Sequence, residues 1–350
     1  MDMTLFQKPQ VNLARSTRDR MWLLCAVGFL AVFQSSLGDS FRSLMLAAAV
    51  LAGALVTEML FNLKDRYWSI KDGSAAASAM VLTLLLPNQL HPLFGFLGAA
   101  FSMAVIKHSY GGLGSNWANP AAGGWLFIRA AWPAAFAGSV ENSPLMRLAL
   151  SVEQGLADPQ GSPLSILKIN GWQGASMDSL LSGFFNSSGF SLAGARLPEG
   201  YLSFFSAPGP GIIADRGLLF LVFGTMIFTA SRSFRLWIPA AFLAIYSLLV
   251  RIFGALPFGG GLGNGDMLFV LLSGGTIAAA FMLVPDPATG PKSSPGYLAY
   301  ILFAAAAAFL FRFPGNEPYG VIPAVLLGNA LVPVIRRLEN RLYYEKRRKP

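Results

Sequence analysis

The sequence predicts an all-α integral membrane protein of about ten transmembrane helices, set as two five-helix inverted repeats with a long extracytoplasmic loop between them. Three observations carry this. Of 350 residues, 54% are hydrophobic and only 12% charged, about half the charge of a soluble domain; the mean hydropathy is +0.53. The apolar residues fall mostly in runs of spanning length. Most of the 26 Lys and Arg fall in alternate connections between those runs, as topology rules require.

The elements follow in order. Residues 1–19 form a polar N-terminal segment, and the first apolar run has full spanning length, so no cleavable leader is expected. The first five spans are expected at 20–38, 44–62, 74–86, 92–106 and 116–139, making 20–139 the first repeat. The third is short and bounded by Asp72-Gly73 and Pro87, which reads as a half-membrane or strongly covered helix. Residues 140–215 form the loop, rich in Gly, Ser and Pro; its apolar pairs Leu180-Leu181 and Phe184-Phe185 argue that it packs on something. Spans at 217–231, 235–253, 267–284, 297–311 and 319–335 follow, making 216–335 the second repeat, and 336–350 is a basic tail. An odd number of spans per repeat inverts the second copy, and inverted repeats place a pathway at their interface.

The charge bias puts both termini on the cytoplasmic side of the membrane and the loop outside. The net charge of +9 is concentrated in part in Arg336, Arg337, Arg341, Lys346, Arg347, Arg348 and Lys349, directly after a span. That pattern faces anionic lipid and excludes nucleic acid as a partner. A single cysteine, Cys25, rules out an internal disulfide and a protein-ligated iron–sulfur cluster without partner ligands. His91 and His108 have no second ligand at metal spacing, so no metal site is expected. No nucleophile–histidine–acid triad, phosphate loop or paired carboxylates are evident, so no catalytic residue is expected.

The most informative stretch is KHSYGGLGSNWANPAAGG, Lys107 to Gly124, where polar, glycine-rich sequence interrupts apolar sequence. Non-helical backbone at membrane depth is tolerated only where protein or a cavity covers it. Lys107 is suited to neutralise a phosphate or a reduced cofactor, or belongs to an inner basic belt. Gly111 and Gly112 allow close approach of a helix or of a cofactor. Asn116 and Asn119 offer amides to a cofactor's edge or an ion; alternatively Asn119 is an N-cap with Pro120 at the first helical position.

Several stretches then resemble one family, the D subunit of Rnf electron-transport complexes and the B subunit of Na⁺-translocating NADH:quinone reductase. DGSAAASAMVLTLLLPNQLHP (Asp72 to Pro92) resembles its DGSA…LLLALLLP element, and KHSYGGLGSNWANPA (Lys107 to Ala121) its GKhxFGGLGxNxFNPA element, with WPA at Trp132 to Ala134 beyond. LLSGGTIAAAFMLVPDPATGP (Leu271 to Pro291) is similar to GG…AFFMATDPVTSP, and FPGNEPYGVIPAVLLGNALVP (Phe313 to Pro333) to FGGYPEGVAFAVLLMNALVP. The matches occur in family order. The resemblance implies a flavin-carrying membrane subunit of an ion-translocating complex that passes electrons between ferredoxin and NAD⁺ on other subunits while Na⁺ or H⁺ crosses the bilayer. It also implies FMN joined through its phosphate to a Ser or Thr hydroxyl in a motif near D-x-x-S/T-G-A-T. The matching stretch is Asn170-Gly171-Trp172-Gln173-Gly174-Ala175-Ser176, with Ser176 at the acceptor position, Asn170 in place of the acid and Gln173 in place of Ser/Thr. Alternatively Ser176 is a serine of a polar turn. A second, non-covalent flavin, riboflavin or FMN, is expected at the break after Lys107.

The remaining polar residues keep two readings each. Asp72 and Asp286 are interfacial caps or attract cations to an inner vestibule. Asp266 follows a glycine run that turn chemistry also explains. Arg129, inside an apolar span, is expected to snorkel to the outer interface. Glu58 lies about a turn inside its span, either an interfacial acid near Lys64 and Arg66 or a residue facing protein or water. The rival functions are a small-solute channel or transporter on the same plan and a structural scaffold subunit.

Overall fold

The computed structural model describes residues 16–63, 69–112, 114, 116–141, 143–153, 178–188, 197, 200–206, 211–231 and 234–348. Ser176 and the motif around it lie outside the described residues.

α1 (Thr17–Leu37) starts at a capping box, where Ser16 Oγ accepts from Asp19 N and the Asp19 carboxylate accepts from Ser16 N. α2 (Arg42–Phe61) follows a tight turn, and α3 (Ser74–Leu85) stops before Pro87. α4 (Pro92–Phe101) is capped by His91 Nδ1 and runs on as a π-helix, Ser102–Lys107. α5 (Pro120–Ala131) ends at Trp132-Pro133, so the span expected to reach 139 is broken there, with a short helix Ala134–Glu141 beyond. After the connecting segment come α6 (Leu218–Ala230), α7 (Trp237–Phe253) and α8 (Met267–Leu271). A break at Leu272–Gly275 leads into α9 (Thr276–Ala278), continued as a π-helix Ala279–Leu283; α10 (Ser294–Arg312) and α11 (Val321–Arg348) complete the chain.

The described residues form an all-helical bundle with an isolated antiparallel bridge between Pro87 and Ile212. Five of its helices are long and apolar enough to cross a membrane: Thr17–Leu37, Arg42–Phe61, Trp237–Phe258, Ser294–Arg312 and Val321–Arg341. Ser74–Leu85, Pro92–Lys107 and Leu218–Ala230 are shorter apolar helices. With 28 residues α11 is about 42 Å long, against a hydrocarbon layer of about 30 Å. Its basic end therefore continues as helix past the apolar part.

The helices pack in two groups. α2 lies on α3 and α4, α1 on α3, and α5 on α3 and α4. In the second group α7 lies on α8 and α10, α6 on α9, and α11 on α10 and the second π segment. The groups meet through α1 with α6, α3 with α9, and α5 with α11. At the first of these contacts a Cβ on Gly217 would stand 2.2 Å from Ala31 O, so only glycine admits this approach.

The described part of the connecting segment is tied to the bundle by hydrogen bonds and by buried apolar residues. Leu180 and Phe184 on the helix Asp178–Ser188 are 67% and 61% exposed. Within the segment the buried Asp178 carboxylate accepts from Gly200 N and from Ser203 N and Oγ; toward the bundle Tyr201 OH donates to Asp266, Ile213 N donates to Leu86 O, and the Phe204 ring stands edge-on to Phe269.

Candidate functional site

Two helices of the bundle begin in the same unusual way. α3 is entered through Gly73 at φ +74, and Asp72 Oδ1 accepts from Ser74 N at 2.7 Å. α9 is entered through Gly275 at φ +70, with Asp215 accepting from Gly274 N and Gly275 N at 2.9 and 2.7 Å. A left-handed turn at helix entry suits glycine. It exposes helix N–H groups that the carboxylates satisfy.

At the start of α3 the π turn that closes α4 carries Lys107 inward. Lys107 Nζ donates to Ser74 Oγ at 2.8 Å and to Glu58 Oε1 at 2.9 Å. Glu58 Oε2 bonds His108 Nε2 at 2.8 Å, and His108 stacks on Phe61 with centroids 4.8 Å apart. Lys107 and Glu58 are 2% and 1% exposed, His108 11%. An ammonium beside a helix N-terminus faces like partial charge, and the Glu58 carboxylate offsets it at contact distance. Glu58 therefore faces protein, and its partners lie at the end of the π turn.

Beyond this cluster opens a cavity of about 390 Å³, within the size range of small-molecule sites, roughly 300–1,000 Å³. Its polar wall holds Arg20, Ser74, Ser78, Lys107, Asn116, Asn119, Asp286 and Lys292; its apolar wall holds Met21, Leu24, Phe228, Phe234, Phe281 and Met282. Asn119 takes the capping role and adds a bond to Asp286. Its Oδ1 caps α5, accepting from Ala121 N and Ala122 N at 3.1 and 3.3 Å, while Nδ2 donates to Asp286 Oδ2 at 3.2 Å. Asp286 also accepts from Ala288 N and Thr289 Oγ1. Burial pushes its carboxyl up from the ordinary range, and these bonds and Lys292 oppose that. Asn116 Oδ1 is buried and lacks a partner among the described residues.

The structure thus brings Lys107, Asn116 and Asn119 to one cavity, together with Asp286. Gly111 and Gly112 instead close the turn after Lys107, at φ +107 and +90, with Gly112 N donating to Lys107 O. Arg20, Ser78 and Lys292 also line the cavity; nothing local in the sequence marks them, because three separate parts of the chain carry them there. Arg129 does not simply snorkel. Its Nη2 pairs with Glu317 Oε2 at 2.9 Å, across from α5 to the turn before α11, and its guanidinium sits 5.4 Å from the Phe136 ring centroid.

At the start of α9 the matching cation is Arg312, 1% exposed. Its Nη1 donates to Thr276 Oγ1, Val270 O and Tyr246 OH at 3.0, 3.1 and 3.3 Å, and Nη2 to Ser273 Oγ at 2.6 Å. Burial pushes the Asp215 carboxyl up to about 6, against the opposing pull of Gly275 N–H, Arg312 and Gly274 N–H. The 19 residues of α10, about 28 Å of helix, separate this cluster from the cavity at Lys292.

A model described as the NQR2, RnfD, RnfE family matches residues 4–344. The chain is 27% identical over 346 residues to the D subunit of the proton-translocating ferredoxin:NAD(+) oxidoreductase complex of Clostridium ljungdahlii, covering 99% of this chain and 97% of the relative. It is 30% identical over 339 residues to the D subunit of the ion-translocating oxidoreductase complex of Vibrio cholerae, covering 93% and 94%. It is 25% identical over 347 residues to the D subunit of the Na(+)-translocating ferredoxin:NAD(+) oxidoreductase complex of Acetobacterium woodii, covering 98% and 96%.

Proposed function

The chain belongs to the NQR2, RnfD, RnfE family, and from that membership we propose that it is the flavin-carrying membrane subunit of an Rnf-type, ion-translocating ferredoxin:NAD⁺ oxidoreductase complex. The observation that carries the flavin part is the cavity beside Lys107. Its aromatic and Met wall suits a planar ring, the unpartnered Asn116 Oδ1 suits a ring imide N–H, and the Lys107 ammonium suits negative charge gained on reduction. Flavin would supply the electron chemistry. The chain's residues would bind the ring, keep water from it and set its potential by burial and hydrogen bonds.

Ser176 is the proposed acceptor of a covalent FMN, on the family motif. Ten spans in two inverted repeats are proposed for the fold. The contacts of α1 with α6, α3 with α9 and α5 with α11 support it, since each joins elements at like positions in the two groups. Both termini are proposed to be cytoplasmic. In support, the start of α1 and the basic end of α11 reach the same end of the bundle: Arg20 lines the cavity, and Arg336 donates to Ala288 O and Gly290 O in the loop beside it.

The test is intact-mass spectrometry of the protein from its native host, with peptide mapping across 165–185 and flavin extraction. Covalent FMN lost in Ser176→Ala, together with an extractable flavin lost when Ser78→Trp fills the cavity, is the expected result. A preparation without either flavin, from a host that attaches FMN to other proteins, would favour the solute-transporter reading.

A further inference from the structure

We propose that His108, Glu58 and Lys107 form a proton route between the surface at the end of α4 and the cavity, serving an occupant that gains protons as it is reduced. The inference rests on the flavin reading of the cavity. The geometry is a continuous chain. His108 Nε2 meets Glu58 Oε2 at 2.8 Å, Glu58 Oε1 meets Lys107 Nζ at 2.9 Å, and Lys107 Nζ meets Ser74 Oγ at 2.8 Å. One end, His108, reaches the surface with 11% exposure; the other, Lys107, lines the cavity.

Stability alone does not explain the arrangement. A buried ion pair is weak evidence of stabilisation, and one cation would have served Glu58. The carboxylate instead bridges two proton carriers, one at the surface and one at the cavity. Histidine is the side-chain type whose ordinary range straddles neutrality, so it suits the surface end. The other charged groups at the cavity are not in this chain of bonds. Arg20 comes from α1, Lys292 from the connection before α10, and Asp286 is occupied by Asn119, Thr289 and Ala288. Asp72 accepts from Ser74 N.

The proton balance closes. Lys107 gives one proton to the reduced occupant, whose electrons come from a one-electron carrier of the complex. His108, carrying a proton on each ring nitrogen, passes its Nε2 proton to Glu58 Oε2 and is left neutral with Nδ1 protonated. A half-turn of the carboxyl presents that proton to the Lys107 amine, restoring the ammonium and the carboxylate. His108 then recovers a proton from water. One proton enters per cycle and no residue is altered.

The experiment uses the whole complex from its native host, with dithionite as reductant and flavin absorbance as readout at pH 8. His108→Ala and His108→Gln are each expected to keep the non-covalent flavin at wild-type stoichiometry while slowing its full reduction on the order of a hundredfold. Added imidazole should restore the rate in His108→Ala. Glu58→Gln should be slow and insensitive to imidazole. A wild-type rate in both His108 variants with flavin retained overturns the relay. So does a slow His108→Ala rate with a wild-type His108→Gln rate, since glutamine keeps a hydrogen bond but carries no proton. Extractable flavin that persists at wild-type stoichiometry in Ser78→Trp overturns the cavity reading itself, and the relay with it.

Discussion

Lys107 and Arg312 make the same connection at opposite ends of the bundle. Each is sealed from solvent, and each donates to the first hydroxyl of a helix entered through a left-handed glycine, Ser74 after Gly73 and Thr276 after Gly275. Their counter-charges differ. Glu58 touches Lys107 directly, whereas Asp215 reaches Arg312 only through space, from the carboxylate that caps Gly274 and Gly275. The likeness supports the inverted-repeat reading more specifically than span counting does.

Lys107→Met takes the ammonium away from a Glu58 carboxylate that stays buried in the bundle. Removing one member of a buried pair costs about 3–5 kcal/mol. Thermal unfolding in detergent should show this loss, and the double variant Glu58→Gln/Lys107→Met should recover part of it.

Arg312→Lys is not conservative. The guanidinium serves four acceptors from two nitrogens, a planar spread that an ammonium cannot reproduce. A loss of roughly 2–3 kcal/mol is expected, read as a lowered unfolding temperature.

Asp215 gives a pH signature. Its folded value of about 6 lies above the ordinary 3.8. The neutral acid is therefore favoured in the folded state, and that stabilisation, full below the ordinary value, is lost as pH rises through about 6. Relative to Asp215→Asn, the wild-type protein should lose up to about 3 kcal/mol between pH 4 and pH 7. A stability difference that stays flat across this range would count against burial as the cause.

Gly217→Ala should separate α1 from α6. The added Cβ meets Ala31 O at 2.2 Å, and backbone cannot step aside as a flexible side chain does. A cost of about 1–3 kcal/mol is expected, with protease access to the segment before Gly217 as a second readout.

Much of this architecture is legible in the sequence because hydropathy records contact with lipid directly. The long spans, the short α3 bounded by Gly73 and Pro87, and the Asn119-Pro120 helix entry all stand where expected. Less legible is anything decided by tertiary pairing. Glu58 reads as well as a neighbour of Lys64 and Arg66 as it does as a buried group, yet Lys107 and His108 pair with it, and only the packing of α2 on α4 and its π turn brings them near. Sequence reasoning misses Asp215 and Arg312 as a site. A signal exists: Arg312 ends an apolar run before Pro314-Gly315, much as Lys107 ends one before Gly111-Gly112.

The Glu58–Lys107 contact also bears on how the protein is made. Glu58 is translated 49 residues ahead of its cation, so an ionised α2 released early would meet acyl chains without its counter-ion. Such a group is poorly tolerated in lipid. Entry of α2, α3 and α4 together would avoid that exposure, because α4 and its π turn bring Lys107 to Glu58.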